Sequence, residues 1–306
     1  MISKQDFLGN VRMKVIPVIQ KRTEEEKLPT FLITQKNRLI FAVSLFILVC
    51  CFFSYQGLAL IGGFSILGGC VLVAYYKRKM NQFVKQQIFP LFNLEERRIF
   101  ADGFMQEISQ TGIVPHCDEA KVDDSFVLKD SEHSLFVQEA ELVRGSGKHS
   151  HIVFNGLIIN STKIRWKNIS LLLWDKSISK SHFTEAINRF VSKLVREKVP
   201  REKIICSDEK FAAEYDVYAS NQIEAEKALT SQFIWAVHKL KSVFKKPMNL
   251  WIDKNEITLA IPLEDAIFEC FNWKNFSDLS LYEKFYDEIQ CLHFLDEVLY
   301  ELESRY

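Results

Sequence analysis

Charge is absent from one long stretch of this chain. From Leu39 to Tyr76, 38 consecutive residues carry no Asp, Glu, Lys or Arg, with Arg38 ahead of them and Lys77, Arg78 and Lys79 behind. That absence excludes a helix pair with a wet face, which would need charges over such a length. Cysteine is sparse and irregular: the 7 cysteines fall at 50, 51, 70, 117, 206, 270 and 291, an odd count with no zinc spacing. Neither a disulfide framework nor a structural zinc knuckle follows, and free thiols are expected. Cys206 and Cys291 have no basic neighbour to activate them and read as space-filling. Also missing are a nucleophile elbow, a zinc-protease helix and a kinase signature.

A single rod of 38 residues would reach roughly 57 Å at about 1.5 Å per residue, nearly twice a hydrocarbon core of about 30 Å. Two crossings fit, and the weakly polar Ser54, Tyr55, Gln56 and Gly57 lie near the midpoint, where the chain must reverse. The expectation is a transmembrane helical hairpin over 39–76. Lys36 and Arg38 precede it and Lys77, Arg78, Lys79 and Lys85 follow it, so both termini are expected in the cytoplasm of a multi-pass inner-membrane protein. The polar residues ahead of the run are too many for a cleaved signal peptide. Ala59 with Gly63, and Ser65 with Gly69, give the second crossing a face of small residues, whose partner is either the first crossing or another copy. No Asp, Glu, His, Lys or Arg lies in the span to carry protons or line a channel.

The neutral total hides an asymmetry. Residues 1–98 hold 14 Lys and Arg against 6 Asp and Glu, whereas residues 99–306 hold 25 against 33. A cationic base suits an anionic leaflet, or is a positive-inside flank and nothing more. The acidic remainder makes nucleic acid a poor partner.

Four segments follow: a cytoplasmic amphipathic stretch over 1–38, the hairpin over 39–76, a stalk with connecting helices over 77–115, and a cytoplasmic α+β domain over 116–306. In the first, Phe7, Leu8, Val11, Val15, Val18 and Ile19 recur near helical spacing, broken by Pro17 and Pro29. In the third, Met80, Phe83, Val84, Gln87, Ile88 and Leu91 extend a helix up to Pro90, and a further helix is expected over 93–113. Glu119, Asp123 and Asp124 read as a solvated acidic linker.

From 125 to 174 the period becomes that of a strand. Glu139 and Glu141 alternate with Ala140 and Leu142; then Ile152, Phe154, Gly156 and Ile158 alternate with Val153, Asn155, Leu157 and Ile159. Gly145, Ser146, Gly147 and Lys148 between them fail as a phosphate loop, because Leu142 and His149 stand where a Gly and a Ser or Thr are needed, and read as a hairpin turn. A strand over Ile169 to Trp174 precedes a helix expected from Ser181 to Lys198. Thr230 opens another, with Phe233, Val237, Leu240 and Phe244 on its buried side. Leu250 to Ile252 and Ile257 to Ile261 flank the turn residues Asp253, Lys254 and Asn255 as a hairpin. Ser280 and Glu283 form a capping box before a helix carrying Leu281, Phe285, Ile289, Leu292, Leu295, Leu299 and Leu302. The fold class is therefore α+β, with an antiparallel sheet and a C-terminal amphipathic helix behind a membrane hairpin.

The strings FNGLIINSTKIRWKNISLLLW (Phe154 to Trp174), EYDVYASNQIEAEKALTSQF (Glu214 to Phe233) and LEDAIFE (Leu263 to Glu269) carry a resemblance. The chain resembles, over roughly residues 5 to 270, a bacterial membrane protein family of unknown function. The resemblance implies a two-crossing hairpin followed by a cytoplasmic α+β domain, often encoded beside LemA-type membrane proteins. Its strongest part is Tyr215, Val217, Tyr218, Glu224, Ala225, Leu229 and Thr230. Asn221 departs from it where an acidic residue is usual, and Ser231 where proline is. The family offers no active residue to carry over.

Candidate chemistry is thin. His149 and His151, two apart beside the turn, would share one strand face as a metal site could use, yet nothing supplies further ligands. His116, Cys117 and Asp118 are adjacent on a loop and would not converge on one ion. Tyr218 and Glu224 are framework positions or partner contacts. No catalytic, cofactor-binding or metal residue is assigned, and no cofactor is expected. The expected function is a membrane-anchored binding or scaffold protein whose partners are the bilayer and another membrane or cytoplasmic protein, a LemA-type protein by the resemblance. The alternative is an enzyme acting on a lipid or membrane-bound substrate with sheet carboxylates as acid and base.

Overall fold

The computed structural model describes residues 2–25, 75, 78–97, 108, 111–129, 135–145, 147, 150–161, 170–178, 202–253, 256–263, 268 and 277–303. The membrane hairpin read over 39–76, apart from Tyr75, and the helix read over 181–198 lie outside them, as do His149, Lys148 and Pro29. Among the described residues, no helix is long and apolar enough to cross a membrane. The chain divides into two compact units, one of residues 1–92 and 268–287 and the other of 93–267 and 288–306.

The first unit opens with a helix at Lys4–Asn10, capped by the Ser3 side chain, which accepts from the N–H of Asp6. A π turn over Val11–Val15 leads into the helix Ile16–Glu25. Pro17 therefore does not break the segment, contrary to the sequence reading. A proline has no N–H for the carbonyl four residues back and its ring crowds that carbonyl; here the preceding turn widens instead, with the N–H of Ile16 bonded to Val11 O. Phe7, Val11, Val15 and Ile19 are buried as the spacing predicts, but Val18 is exposed. A helix over 78–88 buries Met80, Val84 and Ile88 and ends where expected, passing into a 3-10 turn, Phe89–Phe92, that contains Pro90.

Aromatic rings hold this unit together. Phe7 lies 4.9 Å from Phe92 and 5.5 Å from Tyr286, and Phe285 lies 6.0 Å from Phe92 and 6.2 Å from both Phe89 and Phe268. Each fully buried ring contributes about 1.5–3 kcal/mol over an exposed one. Tyr286 and Asp287 also tie down the start of the chain, through Tyr286 Oη donating to Ile2 O at 3.0 Å and an ion pair between Asp287 and Lys4 at 2.9 Å.

Among the described residues, the second unit is built on a nine-stranded antiparallel sheet in the order β1-β2-β3-β4-β9-β8-β5-β7-β6. The strands are β1 (Leu94–Glu96), β2 (Glu119–Leu128), β3 (Phe136–Arg144), β4 (His151–Ser161), β5 (Ser170–Asp175), β6 (Glu202–Ile204), β7 (Tyr215–Ala219), β8 (Asn249–Asp253) and β9 (Glu256–Pro262). Two expectations fail here. The helix read over 93–113 is interrupted at its start, since Asn93 takes a left-handed backbone (φ 54°) and turns Leu94–Glu96 into the edge strand β1. The acidic linker is strand β2, whose charges lie on its wet side while Ala120, Phe126 and Leu128 are buried.

Elsewhere the strand readings hold. Arg144 pairs with His151 across the turn that contains Gly145 and Gly147, both left-handed. Of the three residues read as a turn, Asp253 belongs to β8 and pairs with Glu256, which leaves 254–255 between the two strands. Gly156 sits where β4 meets β9 so closely that an added Cβ would run into the carbonyl oxygen of Ile261. One sheet face is filled by Ile113, Val114, Leu142, Ile158, Leu172, Trp174 and Trp251 among others. Thr230 caps the helix Ser231–Phe244 as expected, accepting from the N–H of Phe233. The helix Leu279–Glu303 starts one residue ahead of the capping box read at Ser280 and Glu283: Asp278 accepts from the Ser280 N–H at 3.0 Å, and this bond draws its carboxyl below the usual range.

Candidate functional site

In the second unit, β5 ends in an acid that the reading of Ile169 to Trp174 stopped short of. Asp175 follows three leucines and a tryptophan and is wholly buried with them. A buried carboxylate is tolerated only when its lone pairs are satisfied and its charge is met. Both conditions hold. Oδ1 accepts from the backbone N–H of Ser177 at 2.9 Å and from its hydroxyl at 2.6 Å; Oδ2 accepts from the N–H of Met248 at 3.3 Å and lies 2.9 Å from Lys241 Nζ. The Asp175 N–H donates to Asn249 Oδ1, and Asn249 Nδ2 donates to Ile113 O.

Lys241 reaches this acid from the helix Ser231–Phe244 and spans to Glu214 Oε2, also at 2.9 Å, while His238 Nδ1 lies 3.9 Å from Glu214 Oε1. Glu214 ends the short helix Glu209–Glu214, capped by Asp208, and Tyr215 begins β7 behind it. The Lys241 ammonium lies 5.0 Å over the Tyr215 ring, which stacks on Phe211 at 4.9 Å. The Tyr215 hydroxyl is buried with no hydrogen-bond partner among the described residues, and burial, then the charges of Asp175 and Glu214, push its phenol far above its ordinary value. At the next position of β7, Asp216 meets Lys203 at 2.9 Å and Lys176 at 3.5 Å, and Lys176 Nζ also donates to Ala212 O.

Chemically this cluster holds rather than reacts. Asp175 has its lone pairs taken by four donors and is closed to solvent, so it cannot reach a substrate proton as a general base must. What it does is pin β5, β8 and the Ser231–Phe244 helix at one point. Beside this pinned region β6 is the outermost of the described strands, and there Ile205 is 84% exposed and Ile223 66% exposed. Gln222 joins their segments by donating to Ile205 O at 3.1 Å. Two isoleucines left in water beside a braced edge form a candidate docking point.

The residues weighed from sequence lie elsewhere. His151 begins β4 and is exposed. Cys117 enters the sheet core, and burial, then the Asp118 charge, raise its thiol to about 11. Asp118 instead accepts from the Gly145 N–H at 2.7 Å and sits 3.7 Å from His116 Nε2, so the three adjacent residues do not converge. Among the described residues, no three His, Cys, Asp or Glu side chains come together as a metal site. Tyr218 packs partly buried against the core, and Glu224 lies in the helix Gln222–Ala228. Cys206 and Cys291 are half-buried rather than enclosed. The one signal that pointed to Asp175 was an acid directly after an unbroken apolar strand.

Residues 152–302 match the model of a family described as "Protein of unknown function (DUF3137)"; the match takes in Asp175, Glu214, His238, Lys241 and Asn249 but not Ile113. No curated protein sequence matches. Among solved structures, the mycobacterial trehalose monomycolate transport factor A, TtfA, is similar at 11% identity and a TM-score of 0.36, over 67% of this chain and 86% of that one.

Proposed function

We propose that this chain is a membrane-anchored binding protein: a hairpin formed by 39–76 holds it in a bilayer with both termini on the cytoplasmic side, and the α+β domain docks a second membrane or cytoplasmic protein. The observation that carries the reading is the run of 38 uncharged residues bounded by cations on both sides. The exposed pair Ile205 and Ile223 is the docking point, and the closed Asp175 cluster supports a role in bracing over one in turnover.

Affinity capture from detergent-solubilised native membranes tests it, comparing the unmodified protein with Ile205→Asp/Ile223→Asp. A protein recovered in stoichiometric amount by the first and lost by the second, with the urea midpoint unchanged, is the expected result. Release of the chain from membranes by alkaline carbonate, or one surface carboxylate whose replacement abolishes function in a folded domain, overturns it.

A further inference from the structure

The exposed side of the N-terminal helix combines apolar and basic residues. Met13 is 71% and Val18 42% exposed. Met13, Pro17 and Lys21 stand four apart in sequence, as do Lys14 and Val18, so the two rows run side by side along one helix face. Arg12, Lys14, Pro17 and Lys21 are exposed as well. Within 11–22 there is no acid, and Glu24 and Glu25 follow only in the last turn of the helix.

Position adds a second argument. The Arg22 guanidinium lies 4.2 Å over the ring of Phe83. Phe83 belongs to the helix 78–88, which starts directly behind the uncharged run, and at about 1.5 Å per residue it stands only about 8 Å along that helix from Arg78. The polar layer of a bilayer is about 5–8 Å deep on each side. Tyr75, 59% exposed at the end of the run, is the residue type that sits at that depth. Residues 26–38 tether the other end of the helix to the start of the run, within about 45 Å even when fully extended.

We propose that this face, Met13, Lys14, Pro17, Val18 and Lys21, lies flat on a bilayer surface, its cations on anionic headgroups and its two apolar side chains dipping between them. The proposal rests on the membrane anchor of the preceding section. It assigns the N-terminal helix a second, charge-dependent contact with the same leaflet.

The test uses the full chain with an environment-sensitive fluorescent amino acid in place of Met13, or in place of Glu209 as a control, reconstituted in nanodiscs of phosphatidylcholine with and without phosphatidylserine. At position 13 the emission shifts to the blue when phosphatidylserine is present, the shift shrinks in 1 M NaCl, and Arg12→Glu/Lys14→Glu/Lys21→Glu abolishes it while the protein stays in the disc; position 209 does not respond. An unshifted probe at 13 in a protein that remains in anionic discs overturns the proposal and leaves the anchor standing. A shift already present in detergent and indifferent to phosphatidylserine also overturns it, since the face is then covered by protein. A chain that does not enter discs at all overturns both.

Discussion

Lys241 Nζ lies 2.9 Å from Asp175 Oδ2, joining a lysine whose side chain is 25% exposed to a carboxylate that is 1% exposed. Removing the lysine leaves the acid buried with three hydrogen bonds and no counter-charge. Lys241→Met is expected to cost about 2–3 kcal/mol, at the lower end for a broken buried pair because water reaches the lysine end. Urea denaturation followed by tryptophan fluorescence measures it. A loss below about 0.5 kcal/mol would mean that the pair does not brace the sheet.

The same pair gives a pH dependence whose direction is fixed. Burial lowers the Lys241 ammonium, but the hydrogen bonds to Glu214 and Asp175 and their charges outweigh it, leaving it above its ordinary 10.5. The folded value is thus above the unfolded one. Its stabilisation is complete below about pH 10.4 and is lost as the pH rises through the folded value. The stability gap between the unmodified protein and Lys241→Met should be constant from pH 7 to 9 and narrow on the alkaline side; a gap that widened there would contradict the assignment.

Two glycines should respond oppositely to alanine. At Gly156 the new methyl would meet Ile261 O and come within 2.9 Å of Pro262 Cα, both backbone atoms that cannot step aside without opening the β4–β9 ladder. A loss of about 3 kcal/mol or more is expected. At Gly9, inside the helix Lys4–Asn10, nothing lies within 4 Å of the added carbon, and a gain of about 0.5–1 kcal/mol is expected from helix propensity. Thermal unfolding of the two variants settles both signs.

Cys117 offers a probe of the core. With its thiol raised to about 11 and enclosed by the sheet, it should resist iodoacetamide at pH 7.5 in the folded protein and react within minutes in 6 M urea. Peptide mapping after alkylation reports it, and rapid labelling under native conditions would show that this sheet face opens readily.

What the sequence made legible was whatever depended on local pattern. Tyr215, Val217 and Ala219 alternate and form β7; Thr230 looks like a cap and is one; the turn residues between Ile252 and Ile257 sit between paired strands. Strand β2 was hidden because Asp123 and Asp124 fall at a register shift between Val122 and Asp124, which interrupts the alternation where it would have been read. The widened turn ahead of Pro17 has no local signature beyond the proline, which usually marks a stop. The Asp175–Lys241 pair escaped for a different reason. It joins a strand to a helix far along the chain, and only the fold makes them neighbours.

Among the described residues, the outer strands of the sheet, β1 and β6, are three residues long and carry charged side chains, Glu95 and Glu96 on one and Glu202 and Lys203 on the other. An incoming strand finds too short a ladder to zip onto and must leave ions unsolvated to do so. Crowding many copies together should therefore not make them polymerise into fibrils, and any lateral assembly has to be built from side chains instead of backbone.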